Sequence, residues 1–190
     1  SLAGQLLELS LLLRAMQRQP AAVHALTAHC LEFVAEFARA MVAAGADAVM
    51  IADPNATGEI LGARRFAEFA QPYLAQLIAA IHDTGVPVIL HLCGDPKTIL
   101  PALAATGAEA ISLDETANLP AARAALPHQR LMGNVSGMVL EAGPPELIAS
   151  NVRGVLRAGV DILAPACGVV PCTPAAHLRQ MVAQAERADA

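Results

Sequence analysis

The sequence predicts a parallel α/β fold that forms the C-terminal portion of a (βα)8 TIM barrel. Short apolar runs typical of buried strands alternate with longer stretches of helical periodicity, which is the element order of a parallel sheet. The polar residues of most interest follow these strands directly, at the edge where a barrel places its chemistry. About five strands are recognisable, whereas a closed barrel needs eight and about 250 residues, so the 190-residue chain accounts for part of one.

The first two predicted elements are helices separated by a break at Pro20. Leucines at positions 2, 6, 9, 12 and 13 recur at helical spacing, and a second apolar pattern runs from Val23 to Met41. Proline interrupts a helix interior but is tolerated at a helix start, so the second helix is expected to begin near it.

A repeated unit then predicts the strands. Helical periodicity ends at a glycine and a short apolar run follows, as after Gly45, Gly85, Gly107 and Gly159. The predicted strands cover residues 48–52, 86–91, 110–113 and 162–164, with a fifth candidate at 130–134. The later helices are predicted over 64–83, 96–105, 120–126, 144–158 and 174–186, and several carry a proline near the first turn.

The distribution of polar residues distinguishes a barrel from the competing open, doubly wound sheet. A barrel collects functional side chains from the ends of many strands, whereas an open sheet gathers them at one switch point. Polar residues here follow every predicted strand: Asp53, His91, Cys93, Asp114, Glu115, Asn134 and Cys167. Residues 1–190 are therefore predicted to be one partial-barrel domain without the N-terminal strands.

One histidine and two cysteines predict a zinc site. His91 and Cys93 end one apolar run, and Cys167 follows another far downstream. Residues i and i+2 of a strand point to the same side, so His91 and Cys93 can share one ion. Three protein ligands leave the fourth tetrahedral position open, which is typical of a catalytic rather than a structural zinc.

Other histidine, cysteine and glutamate residues are less typical of metal ligands in their position or spacing. Cys172 is interpreted as an ordinary loop cysteine, and His24, His29 and Cys30 lack the i, i+4 spacing of a helical metal pair. Glu59, in a loop before a helix, is left as a candidate fourth ligand.

Three polar residues are predicted to contact substrate. Asp53 either binds substrate or caps the loop that follows it. Asp114 and Glu115 face opposite sides if the strand continues, so at most one points inward, and Asp114 is favoured. Asn134 either hydrogen-bonds substrate or fixes its own tight turn.

Composition excludes several classes of partner. The chain is 55% hydrophobic and 15% charged, with a net charge of −5 and scattered basic residues, so a nucleic-acid-binding face is not expected. The long uncharged stretch from Ile162 to Leu178 contains three prolines and a glycine, which argues against a membrane span. Cysteines in metal-like positions favour a reducing compartment, and a cytoplasmic location is predicted.

Four segments resemble the uroporphyrinogen decarboxylase superfamily, and within it the zinc-dependent methylcobamide:coenzyme M methyltransferases. They are Asp53-Pro54-Asn55-Ala56-Thr57-Gly58, His91-Leu92-Cys93-Gly94, Gly133-Asn134-Val135-Ser136 and Cys167-Gly168. The resemblance implies Zn²⁺ held by His91, Cys93 and Cys167, and methyl transfer from methylcobalamin or a corrinoid protein to a thiol such as coenzyme M. Decarboxylases lack the His-x-Cys pair, so the ligands indicate the methyltransferase branch.

Two departures from the family pattern leave alternatives open. Gly137 stands where members often have proline, and the chain starts where the family's fourth strand would already have ended. The missing strands could come from a longer parent, a partner chain or another copy, so a homo-oligomer stays open. The alternatives are a decarboxylase-like protein with another reaction or acceptor, and an inactive zinc-stabilised fragment that binds a corrinoid protein.

Overall fold

The computed structural model describes residues 2–186 and contains one parallel five-stranded sheet. Its strands are β1 (Val49–Ala52), β2 (Val88–Leu92), β3 (Ala110–Leu113), β4 (Arg130–Val135) and β5 (Ile162–Pro165). They pair in chain order, and each neighbouring pair is parallel. The predicted α/β architecture of five parallel strands with intervening helices is confirmed.

Helices precede, separate and follow these strands. They are α1 (Leu2–Leu6), α2 (Leu9–Arg18), α3 (Pro20–Ala43), α4 (Gly62–Arg65), α5 (Gln71–His82), α6 (Leu100–Ala104), α7 (Leu119–Ala125), α8 (Gly137–Ala142), α9 (Pro145–Arg157) and α10 (Ala175–Glu186). A π-helical turn, Phe66–Ala70, joins α4 to α5 within the stretch predicted as one helix. Among the helices of residues 2–186, none is both long and apolar enough to cross a membrane.

The core lies between the helices and one face of the sheet. Side chains of alternate strand residues, including Val88, Leu90, Ile111 and Leu131, are fully buried in one cluster with residues of the helices. The other set of strand side chains points to the opposite face, where Met50 is 45% exposed. His91 belongs to this second set, so the strand alternation places it on the face away from the helices.

The predicted first helix is wrong in one respect, because it is two helices. Glu8 has a φ of 60° and separates α1 from α2. Its carboxylate accepts hydrogen bonds from the backbone N–H and the hydroxyl of Ser10, which caps α2. The leucine spacing continues across this break, so periodicity alone does not reveal it.

Two further helices differ from prediction. The helix predicted over 96–105 is regular only in α6, since Asp95 accepts the Lys97 N–H in a preceding turn. Helix α8 was not predicted. Ser136 caps it by accepting the Val139 N–H, which is a signal available in the sequence.

An ionic cluster around Asp161 ties together the N-terminal ends of β4 and β5. Its carboxylate accepts the Leu131 N–H at 2.8 Å and the Arg130 guanidinium at 3.1 Å, and also pairs with Arg123. Arg123 in turn donates to the carbonyl of Gly159. Burial raises the pKa of Asp161, but these hydrogen bonds and the Arg123 charge outweigh it, so the pKa lies below its ordinary value.

We expect Asp161→Asn to lower the free energy of unfolding by roughly 1–2 kcal/mol at pH 7, because it removes charge-assisted hydrogen bonds. A depressed carboxyl pKa stabilises the fold above the unfolded-state value of about 3.9, and this contribution is lost as the pH falls through the folded value. The difference between the two proteins should therefore shrink only below about pH 4. Urea unfolding at several pH values measures it.

Asp47→Asn is the matched control. Asp47 also follows a helix-ending glycine and precedes a strand. Unlike that of Asp161, its carboxylate forms no hydrogen bond or ion pair with the residues that the structure describes. An equal loss of stability in both variants would contradict a special role for the Asp161 cluster.

Candidate metal centre

The three predicted ligands converge at the carboxyl ends of the strands. The Cys93 Sγ lies 3.5 Å from His91 Nε2 and 3.9 Å from Cys167 Sγ. One ligand atom from each residue lies within 4.8 Å of the other two. Within residues 2–186, this is the group of histidine, cysteine and acidic side chains whose geometry suits a metal ion.

Sheet curvature produces this convergence. His91 lies in β2 and Cys93 directly follows it, whereas Cys167 follows β5, three strands further along the sheet. Three inter-strand spacings of about 4.8 Å would separate β2 from β5 by about 14 Å in a flat sheet. A sulfur–sulfur distance of 3.9 Å therefore requires the strand ends to curve toward one another, as they do in a barrel.

Solvent exposure increases across the group. His91 is buried at 7% exposure, Cys93 is half-buried and Cys167 is exposed. The site is thus anchored on its histidine side and open on the Cys167 side.

The surroundings favour the neutral forms of His91 and Cys93. Burial lowers the pKa of His91, although the charge of Asp114 opposes this effect. Burial, the neighbouring Cys167 and the charges of Asp114 and Asp53 raise the pKa of the Cys93 thiol to about 11. A bound cation would reverse this electrostatic balance, because it replaces the thiol proton as the neutralising charge.

Asp114 lies beside the ligands, just beyond β3. Its carboxylate accepts the backbone N–H and the hydroxyl of Thr116, each at 3.0 Å. Burial raises the pKa of Asp114, but the hydrogen bonds from Thr116 and from the Gly94 N–H outweigh it, so the pKa is low. Asp114 is therefore ionised at neutral pH. Glu115 is exposed and borders a groove next to α7 and α9, which Asn134 also lines.

Asp53 and Asn134 lie at the same end of the sheet. The Asp53 backbone N–H donates to the His91 carbonyl, and its carboxylate accepts the N–H groups of Asn55 and Ala56 at 3.1 Å. The Asn134 amide is buried and donates to the Asp114 carbonyl at 2.9 Å. Both side chains thus stabilise turns beside the metal centre, and neither belongs to the convergent ligand group.

The remaining candidates lie outside the ligand group. The exposed Glu59 carboxylate lies against Gly94 without joining the three ligands. Cys172 donates to Glu141 at 3.1 Å. His24 hydrogen-bonds Tyr73 at 2.8 Å and stacks on a phenylalanine ring.

Ser112 is the residue at the site that the sequence reasoning missed. It lies in β3 directly beside His91 in the sheet register, and its hydroxyl is 3.0 Å from His91 Nδ1. The available signal was a lone hydroxyl in the apolar strand β3. Its partner became evident only with the strand register.

Comparison with known proteins identifies relatives over most of this chain. The chain is 35% identical over 161 residues to "Methylcobamide:CoM methyltransferase MtbA" of Methanosarcina acetivorans, covering 84% of this chain and 48% of that protein. It is 35% identical over 150 residues to "Methylcobamide:CoM methyltransferase MtaA" of Methanosarcina barkeri, covering 77% and 43%. The chain therefore spans about half the length of the curated relatives it matches.

A solved structure and a family model extend the likeness to nearly the whole chain. The structure, titled "methyltransferase from Methanosarcina mazei", superposes with a TM-score of 0.93 and 28% identity over 99% of this chain and 56% of that one. The family model described as "Uroporphyrinogen decarboxylase (URO-D)" matches residues 1–188. The chain belongs to the uroporphyrinogen decarboxylase family.

Proposed function

We propose that the chain carries the zinc centre of a methyltransferase that moves a methyl group from a methylated corrinoid to a thiol such as coenzyme M. The observation that carries this proposal is the convergence of His91, Cys93 and Cys167. The names of the relatives, which specify methylcobamide and CoM, support the choice of donor and acceptor.

The ligand geometry fits zinc. With Zn–S bonds of about 2.3 Å and Zn–N bonds of about 2.0 Å, two ligand atoms of a tetrahedral site lie about 3.5–3.8 Å apart. The observed separations of 3.5 Å and 3.9 Å are close to these values. One imidazole and two thiolates are also donors that zinc prefers, and they leave one position for a substrate.

Each residue has a separate part in the proposed reaction. When bound, zinc would act as a Lewis acid that allows the substrate thiol to react as a thiolate at neutral pH. His91 and Cys93 would hold the ion on its buried side, and Cys167 would hold it on the exposed side, where the thiol would enter. We propose Asp53, Asp114 and Asn134 as substrate contacts, since they follow or end strands at the same edge of the sheet as the ligands.

The proposal also specifies the methyl donor and the cellular location. The methyl donor would be methylcobalamin or a methylated corrinoid protein docked over the carboxyl ends of the strands. A reducing, cytoplasmic location suits the two thiol ligands, since oxidation would remove them as zinc donors. Residues 1–190 would act as one partial-barrel domain within this assembly.

A methyl-transfer assay tests the function. We expect the zinc-bound chain, mixed with methylcobalamin and coenzyme M, to produce S-methylated thiol above the background of the same protein after chelation. Mass spectrometry detects the product, and the visible spectrum of the cobalamin reports loss of the methyl donor. Parallel reactions with other thiols identify a different acceptor.

The inactive-fragment alternative makes a distinct prediction. It expects full zinc binding without turnover, and turnover once a polypeptide matching the other half of the relatives is supplied. Zinc binding with no methylated product under either condition would contradict the proposed function.

A further inference from the structure

Ser112 is placed to orient the histidine ligand. Its hydroxyl oxygen lies 3.0 Å from His91 Nδ1, and both residues are buried, at 4% and 7% exposure. In the sheet register, His91 of β2 has two neighbours: Ser112 on β3 and Ala52 on β1. Alanine has no polar side-chain atom, so the hydrogen-bonding partner of the ring lies on the β3 side.

The two ring nitrogens of His91 face different partners. Nε2 lies 3.5 Å from the Cys93 sulfur and is therefore the nitrogen directed into the ligand group, while Nδ1 faces Ser112. A neutral imidazole carries one proton, and the nitrogen that donates its lone pair to a metal cannot hold it. The proton must then reside on Nδ1, from which it is donated to the Ser112 oxygen.

We propose that Ser112 is a positioning residue for this metal centre. Its hydroxyl oxygen accepts the Nδ1 proton, selects the tautomer with a free Nε2 lone pair, and holds the ring in the orientation that meets Cys93 and Cys167. A buried hydroxyl in an otherwise apolar strand is costly without a partner, and alanine would fill the strand position without that cost. This inference rests on the proposed zinc site.

Loss of such a hydrogen bond to a ligating histidine typically weakens metal affinity by about 10–100-fold. We expect Ser112→Ala to show a loss in this range, measured by competition with a chromophoric zinc chelator. Ser112→Thr retains the hydroxyl and should recover most of the affinity. The matched control is Thr106→Val, because Thr106 is equally buried and its hydroxyl bonds the Leu103 carbonyl away from the ligands.

Two readouts separate positioning from a general loss of structure. Imidazole nitrogen NMR should show the Nδ1–H tautomer of His91 in the zinc-bound wild type and a changed or mixed signal in Ser112→Ala. The visible spectrum of the cobalt-substituted protein should change in Ser112→Ala but not in Thr106→Val. Urea unfolding of the metal-free proteins establishes that each variant folds.

The outcomes are distinguishable. Unchanged zinc affinity and an unchanged tautomer in Ser112→Ala, with zinc bound to the wild type, would overturn this inference and leave the metal centre intact. A wild-type chain that binds no zinc would overturn both. An equal loss of affinity in Thr106→Val and Ser112→Ala would also contradict a specific role of Ser112.

Discussion

Replacing Cys93 with serine is expected to remove nearly all of the zinc that the purified, reduced chain retains. Serine offers a neutral hydroxyl in place of a thiolate, so the site loses both a favoured donor and a negative charge. We expect a decrease in affinity larger than the roughly 10–100-fold typical of residues that only hydrogen-bond a ligand. Elemental analysis after desalting should fall from about one zinc per chain to near zero.

Cys167→Ser should also lower the zinc affinity, but by less than Cys93→Ser. Cys93 is half-buried at the end of β2, whereas Cys167 is exposed two residues beyond β5. Water can occupy the place of an exposed ligand more easily than that of a buried one. We therefore expect the wild type to retain the most zinc, Cys167→Ser to retain less, and Cys93→Ser to retain the least.

Cys172→Ser is the control for this series. Cys172 is an exposed cysteine that bonds Glu141 and lies outside the ligand group, so its loss should leave the zinc content unchanged. Thermal unfolding gives a second readout, because zinc at 100 times its dissociation constant stabilises the folded chain by about 2.7 kcal/mol. Retention of zinc by both Cys93→Ser and Cys167→Ser would exclude the proposed ligand set.

The sequence supports the main features of the site because strand geometry is simple. The alternation of side chains along β2 places His91 and Cys93 on one side, and a glycine before four of the five predicted strands indicates the order of elements. Parallel strands align their carboxyl ends, so Cys167 was expected at the same edge. These inferences need only local patterns and the parallel arrangement.

The features that sequence reasoning missed depend on contacts between distant segments. Ser112 meets His91 because β3 pairs with β2 in one particular register, and nothing in the four residues of β3 specifies that register. The Asp114 carboxylate, just after β3, accepts a hydrogen bond from the backbone N–H of Gly94, just after β2. The break at Glu8 arises from a side-chain cap that competes with a continuing leucine pattern.

The polar clusters at the two ends of the sheet have different consequences. Asp161 and its arginines join the N-terminal ends of β4 and β5, where their loss should reduce stability without direct contact with the ligands. The carboxyl ends carry His91, Cys93 and Asp114, whose loss should change metal binding or reaction. This separation of stability from chemistry is the pattern of barrel enzymes.

The largest effect on stability is expected from Gly133→Ala. Gly133 lies within β4 and has a φ of 119°, a conformation that residues with a Cβ rarely adopt. A Cβ built there would lie 2.7 Å from the Leu113 carbonyl oxygen of β3, which is backbone and cannot rotate away. The substitution thus combines conformational strain of about 1–3 kcal/mol with a steric clash inside the sheet.

Two glycine variants separate these contributions. Gly85 has a φ of 86° with no atom within 4 Å of a built Cβ, so Gly85→Ala should show the conformational cost alone, about 1–2 kcal/mol. Gly154 lies in α9 with similarly open surroundings, and Gly154→Ala should stabilise the chain by about 0.5–1 kcal/mol.

Urea unfolding of all three variants decides the matter. We expect Gly133→Ala to lose about 3 kcal/mol or more, a large share of the roughly 5–15 kcal/mol that stabilises a typical domain. If Gly133→Ala unfolds at the same urea concentration as Gly85→Ala, the close approach of the new Cβ to Leu113 does not lower the stability. If Gly133→Ala folds but is less stable than Gly85→Ala, its zinc affinity should be measured as well. Gly133 precedes Asn134, and the Asn134 amide donates to the Asp114 carbonyl beside the metal ligands. A weakened zinc site in that variant would show that the packing of β4 against β3 also controls the geometry of the centre.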